Sequence, residues 1–547
     1  MSIFARNVGS SLLAPAAVIA ALTTPSLIWI WVDRSVFAWD QAWYGEVSLD
    51  LWHARQDGAR AWVSGMLHAF GAKPPLLAWM AQFFVPLAGI TGDVEPALLA
   101  LNLCAAAATL GLVYGISWRL TKNAPSSIAA VLVCGGAPLF VGLIHEFMVE
   151  IVQCFTVVLM MAVAWRAERR SLVRTVALGI LALALGTLVK ASSPLFAAPL
   201  IGYIAIVLYA GGRERPGMTA ADISLMLAAA VVAGLAAAWY IVNWAQMLAH
   251  VQSSVGAEAA VYGSPGDMLE KLSFWLNATA SAVSPFGLIS IGLLLLAVTG
   301  LARGVIASWR GSFEASLGSA IENGTLFAMV LGSTVVLVWI SYSLQPNEDT
   351  RFLAPVLPMI AVLTGWSLSA LGRVAGMGAA SLLAANAAVN NIYAFGWNPL
   401  QVVESPWLNA VHATNDDRLR LRDAVRVSCP PQERNRYVIV GVEYPAFNAN
   451  SAAFYSAQER LRTGYRCYYT SLGYLESDAD RAFDRIFMMN AVSVVTIPPA
   501  LQQEGDNSPF NRVSRVVAER LLDDRRFSLV AGAPADTIVL TRESASP

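Results

Sequence analysis

The chain has 547 residues, of which 56% are hydrophobic and only 13% charged, with a net charge of −1. A soluble globular chain carries roughly 25% charge, so an ordinary soluble protein is excluded, and the near-neutral balance gives no footprint for nucleic acid. The deficit lies in the first four hundred residues, where apolar runs of about twenty residues recur, enough to cross a bilayer core of ~30 Å. After residue 397 the composition is ordinary, and 17 of the 36 Lys and Arg residues appear there. We therefore expect a membrane domain over 1–396 and a soluble domain over 397–547.

In chain order, the first apolar run (11–32) is longer than a signal-peptide core. It has no small-residue cleavage site before Trp29-Ile30-Trp31, so it reads as a retained helix. Ten further spans are expected at 98–118, 124–145, 147–165, 175–190, 194–210, 221–242, 283–302, 325–343, 352–371 and 375–396, making about eleven. One set of connectors carries Arg6, Arg119, Lys122, Arg166, Arg169, Arg170, Arg174, Arg213, Arg215, Arg303, Arg310 and Arg373. Excess Lys and Arg mark cytoplasmic loops. The soluble domain is therefore expected outside. This requires that the short stretch Pro74–Ile90 does not cross, but forms a re-entrant or interfacial helix.

The outer connectors hold Asp40, Glu46, Lys73, His145, Glu146, Glu150, Lys190 and Arg351. Ionisable groups near membrane depth are costly and face a cavity or one another. Their gathering on one side marks a candidate site. Asp40, Trp43, Tyr44, Val47 and Leu51 share one helical face, which predicts an amphipathic juxtamembrane helix in the first outer loop. Asp40 reads either as a helix cap or as a general base beside an acceptor hydroxyl. Lys73, before Pro74-Pro75, and Lys190 read either as snorkelling residues or as phosphate ligands. Arg351 follows Asn347-Glu348-Asp349 and has nearby acids to pair with. Three outer cations suit a lipid phosphate whose leaving oxygen gains charge. His145-Glu146 with Glu150 lacks the second His of a zincin helix. A divalent cation shared by Asp40, Glu46 and Glu150 stays open; no cofactor is certain.

Cys104, Cys134 and Cys154 sit in apolar spans as packing residues. Cys429 and Cys467 fall in the outer domain, where a disulfide is chemically permitted. That domain reads as α/β, with helices at Asn415–Val427, Asp478–Met489 and Phe510–Asp524. Strands are expected at Tyr437–Val442, Ala491–Ile497 and Thr537–Arg542, giving helices on a mixed sheet.

The motifs in this order resemble the glycosyltransferase C superfamily, specifically bacterial relatives of protein O-mannosyltransferases and the lipid A aminoarabinose transferase. The resemblance covers roughly residues 10–395. It rests on Asp40-x-x-x-Tyr44-x-Glu46, Lys73-Pro74-Pro75, Glu150 where the family usually has Asp, Gly186-Thr187-Leu188-Val189-Lys190, and Arg351-Phe352-Leu353-Ala354-Pro355 before Pro358. Gln41 stands where many relatives have a second acid, Ala72 replaces a common acid, and Phe352 a common Tyr.

The resemblance implies a polytopic helical membrane domain with catalytic Asp40. It also implies a donor-phosphate clamp of Lys73, Lys190 and Arg351, with Tyr44, Glu46, Glu150 and His145 binding substrate or supporting the site. The implied enzyme is an inner-membrane glycosyltransferase that moves a hexose or pentose from a polyprenyl-phosphate carrier, with inversion, at the periplasmic face. The acceptor is lipid A or lipopolysaccharide, a cell-wall glycan or a protein. Two other classes stay open: a secondary transporter, which tends to show internal repeats and midplane charges, and a non-catalytic lipid-binding or assembly subunit.

Overall fold

The computed structural model describes residues 2–542, except 168–170, 211–217, 257, 260–262, 265, 309–318, 323, 394–416 and 503–507. The expected boundary at 396/397 and the basic residues Arg169, Arg170, Arg213, Arg215 and Arg310 lie outside the described residues.

The chain is a multi-pass membrane protein. Among the described residues, eight helices are long and apolar enough to cross a membrane, or nine if a bent pair counts as one span. The first is α1 (Ser2–Val32). After it come two helices outside the long apolar spans, α2 (Trp39–Gln56) and α3 (Ala59–His68). The stretch from Pro74 does not cross. It breaks into α4 (Leu76–Ala81), a 3-10 turn at Val85–Leu87 and α5 (Ala88–Thr91), each too short to span. Its first leucines are nonetheless buried: Leu76 and Leu77 pack into the core.

The bundle continues with α6 (Val94–Thr121), α7 (Ala124–Gly135) and α8 (Pro138–Ile144). The last two meet at 60°, because Pro138 starts a new helix and denies an amide to the old one. Then come α9 (Glu150–Trp165), α10 (Leu172–Val189), α11 (Ser193–Ala210) and α12 (Ala220–Val255). Further helices run over Met268–Val283, Gly287–Ser308, Thr325–Ser343, Leu357–Ser369 and Arg373–Tyr393. Each of the eleven expected spans overlaps a helix. However, α9 has only 16 residues, and Arg373–Tyr393 carries Asn386, Asn390 and Asn391, so neither belongs to the eight.

Two helices depart from expectation. α12 has 36 residues, roughly 54 Å at 1.5 Å per residue, well beyond the ~30 Å apolar core. The span expected to stop at 242 therefore runs on and carries Met247, His250 and Val251 past it. α2, expected to lie on the bilayer, is enclosed instead. It buries Tyr44, Leu49 and Leu51 because a second domain covers it.

That domain has a five-stranded sheet in the order β2-β1-β3-β5-β4. Its strands are β1 (Tyr437–Val440), β2 (Tyr468–Ser471), β3 (Ser493–Thr496), β4 (Phe527–Leu529) and β5 (Ile538–Arg542). β1 pairs in parallel with β2 and β3, whereas β5 runs antiparallel to β3 and β4. Parallel neighbours need crossovers. The helices Ala449–Thr463 and Ala479–Met488 supply them. The mixed sheet matches the sequence reading, which missed β2, β4 and the helix Ala449–Thr463.

Docking is side-chain specific. The helix Ala449–Thr463 packs on α2, and a Cβ on Gly45 would stand 2.6 Å from the Phe454 ring, so only glycine allows this approach. Ser451 donates to the Phe37 carbonyl at 2.7 Å. Arg466 pairs with Asp50 at 2.6 Å. At the start of α6, Glu95 accepts from Tyr455 at 2.8 Å and from Gln458 at 2.7 Å, and Arg422 reaches both Asp93 and Glu95. Cys429 and Cys467 are bridged within the domain, with Cα atoms 5.8 Å apart.

Candidate active site

The helix directions collect the site. α9 begins at Glu150 and ends beside Arg166; α10 runs back and delivers Lys190 at its end. Arg351 opens the turn before the helix Leu357–Ser369. Lys73 leads into α4, and Asp40 lies in the first turn of α2. Asp40 is not the cap, since Ala38 holds that position and no side chain caps the helix. Its carboxylate instead meets the Lys73 ammonium at 2.6 Å. Two adjoining cavities share Asp40, Lys73, His250, Glu258 and Arg351. One, of about 390 Å³, reaches into the bundle and is lined by six of the eight candidates: Asp40, Tyr44, Lys73, Glu150, Lys190 and Arg351. The other, about 870 Å³, lies under the C-terminal domain.

Each cation already has an acid. Besides Lys73–Asp40, Lys190 holds Glu150 at 3.0 Å and Arg351 holds Asp349 at 2.8 Å. None of the three snorkels freely. Lys73 also lies 4.9 Å from the Trp43 ring centre, and Lys190 lies 4.2 Å from that of Phe352, geometry suited to cation–π attraction. Burial pushes the Asp40 carboxyl upward, but Lys73, with help from Arg351, more than offsets this and holds it below its usual value. Glu146, at the same cavity, is pushed up to about 7 by burial, against the pull of Arg351.

The other two candidates are elsewhere. Glu46 lies 3.5 Å from Arg466 at the domain contact. His145 is buried with its ring stacked on Trp29 at 4.0 Å, and its Nε2 is 3.0 Å from the Ser26 hydroxyl. Neither lines either of these two cavities. Asp40, Glu46 and Glu150 are each paired with a different basic side chain, Lys73, Arg466 and Lys190, and among the described residues no three His, Cys, Asp or Glu side chains converge. Missed were His250 and Glu258, beyond the expected end of a span, and Glu443 and Asn450 from the C-terminal domain. The signal for His250 was available: an ionisable imidazole in a helical run whose other polar residues near it, Asn243, Gln246 and Gln252, carry no charge.

Residues 72–241 match the sequence profile of the dolichyl-phosphate-mannose-protein mannosyltransferase family, a segment short of half the chain. No curated protein matches the sequence. The crystal structure of ArnT from Cupriavidus metallidurans bound to undecaprenyl phosphate is similar over 98% of this chain and 99% of its own, with a TM-score of 0.56 at 13% identity. Its apo form gives 0.56 at 12%, over 98% of both chains. The cryo-EM structure of the arabinofuranosyltransferase AftD from Mycobacteria covers 96% of this chain and 40% of its own, with a TM-score of 0.49 at 13% identity. The chain has the glycosyltransferase C fold. On that fold the departures acquire positions. Gln41 accepts from the Phe147 amide at 3.3 Å, while Glu146 brings an acid to the cavity that Gln41 also lines.

Proposed function

We propose that this glycosyltransferase C-fold protein is a glycosyltransferase. It would take a sugar from a polyprenyl-phosphate carrier and pass it to an acceptor at the extracytoplasmic face of a bacterial inner membrane. The observation that carries the reading is the convergence of Asp40, Lys73, Lys190 and Arg351 on one cavity. The undecaprenyl phosphate bound by the similar ArnT structure supports the donor class.

The reaction is a single displacement. The acceptor oxygen bonds to the anomeric carbon as the bond from that carbon to the phosphate oxygen breaks, inverting the centre. The acceptor proton goes to Asp40 and the electron pair leaves on the polyprenyl phosphate, held by Lys73 and Arg351 with Lys190 behind them. Pre-organised cations aimed at developing charge lower the barrier most effectively. Pairing has a further consequence. An arriving phosphate competes for Lys73, which weakens its pull on Asp40 and leaves burial to make the carboxylate a better base.

Product mass spectrometry after incubating the purified protein with polyprenyl-phosphate sugars and candidate acceptors tests the reaction; a failure of every donor to turn over sinks it. Orientation has its own test. An alkaline phosphatase fusion after residue 400 should be active and one near Arg170 silent, and the reverse pattern would put Asp40 and Arg351 on the wrong side.

A further inference from the structure

The two walls of the larger cavity differ in chemistry. On the membrane side stand Asp40, Lys73, Glu146 and Arg351. The opposite wall comes from the outer domain, at the carboxyl ends of the parallel strands β1 and β2. There Glu443, Asn450, Thr470 and Ser471 face the cavity. The carboxyl ends of parallel strands are where open α/β sheets bind ligands. Among the described residues lining this wall there is no Lys or Arg. It is therefore ill-suited to a second phosphate and offers a carboxyl, an amide and two hydroxyls, the groups that hydrogen-bond to hydroxyls.

Glu443 is built in. It is only 4% exposed, and Asn511 clamps its backbone from both sides: the Glu443 amide donates to the Asn511 side-chain oxygen, and the Asn511 amide donates to the Glu443 carbonyl, both at 2.9 Å. No salt bridge to Glu443 occurs among the described residues. A buried carboxyl without a cation is expensive unless something hydrogen-bonds to it. Burial pushes it up to about 7, with Ser471 pulling the other way, so near neutrality it both donates and accepts.

We propose that this wall is the acceptor subsite, and that Glu443, with Asn450 and Ser471, binds the hydroxyls of a neutral saccharide. The inference rests on the proposed function and narrows it. The sugar-bearing donor enters from the bundle side, where the cations are, and the acceptor saccharide lies against the outer domain with one hydroxyl toward Asp40. Asn511 is a positioning residue.

The test uses the full chain in nanodiscs, with two affinities measured on each variant: for undecaprenyl phosphate, and for a panel of fluorescent neutral hexose and pentose oligosaccharides. At least one oligosaccharide should bind the wild type. Glu443→Ala should weaken it roughly 10- to 100-fold, the scale of a lost hydrogen bond to a charged group. Glu443→Gln should weaken it less, and undecaprenyl phosphate affinity should stay within about twofold. Asn450→Ala, at a less buried position, guards against misfolding of the Glu443 variants and should weaken the same oligosaccharide. The inference is overturned if no neutral oligosaccharide binds, if binding ignores all three variants, or if only lipid A or a Ser/Thr peptide binds. If the wild type fails to bind undecaprenyl phosphate, the proposed function itself falls.

Discussion

Ion pairs occupy both halves of this protein, yet they do different things in each. In the membrane domain they are few, and three of them, Lys73–Asp40, Lys190–Glu150 and Arg351–Asp349, surround one cavity. In the C-terminal domain they are scattered over the surface, as with Arg515–Glu519, where both side chains are 52% exposed, and Arg420–Asp536. A third group, Arg422 and Arg466 with the acids of α6 and α2, joins the two halves. Water screens the surface pairs, whereas burial makes the others costly to break. The lesson is that a charge pair gains meaning from what surrounds it: a cavity, an interface or solvent.

The largest expected effect breaks a cavity pair. Asp40→Asn keeps size but takes no proton, so turnover should fall by roughly 10²–10⁴-fold while donor affinity stays near wild type. Lys73→Ala should lower both turnover and donor affinity, because a cation on phosphate acts in ground and transition states alike. Steady-state kinetics with donor-binding measurements on folded protein decide this. Wild-type turnover in Asp40→Asn would end the distinction between cavity pairs and the rest.

An interface pair comes next. Arg422 is 8% exposed and faces Glu95 at 1%, so Arg422→Ala leaves buried carboxylates uncompensated and should cost about 3–5 kcal/mol. Limited proteolysis and thermal melts would read it as a loosened C-terminal domain. A melt unchanged within a degree would show that Tyr455 and Gln458 suffice to hold Glu95.

The disulfide sharpens the comparison from inside the C-terminal domain. Cys429 and Cys467 are 38 residues apart, and closing such a loop is worth about 2–4 kcal/mol in the chain-entropy picture. Cys429→Ser with Cys467→Ser should lower the domain's melting temperature and leave donor affinity untouched. The smallest effect belongs to solvent: Arg515→Ala should change stability by no more than about 0.5 kcal/mol, measured by the same melts. A larger loss would mean that exposure alone does not separate the classes.

Much of this was legible along the chain, for a local reason. A bilayer demands some twenty apolar residues at a stretch, and helix and strand periods are equally local, so the spans, the mixed sheet and the failure of Pro74–Ile90 to cross follow from short windows of sequence. The scarcity of charge in such windows made Asp40, Lys73, Glu150, Lys190 and Arg351 conspicuous, and the fold lines all five along one cavity. The pairing of Arg351 with Asp349 was legible because the two are near neighbours; the other partnerships were not, because they link positions well separated along the chain. Glu46 and His145 were expected to bind substrate or support the site; the fold sets Glu46 against Arg466 at the domain contact and stacks His145 on Trp29 beside Ser26. Glu443 sits in an unremarkable loop of a soluble domain. Only the docking of that domain over α2, through an approach that Gly45 alone permits, turns it toward the cavity.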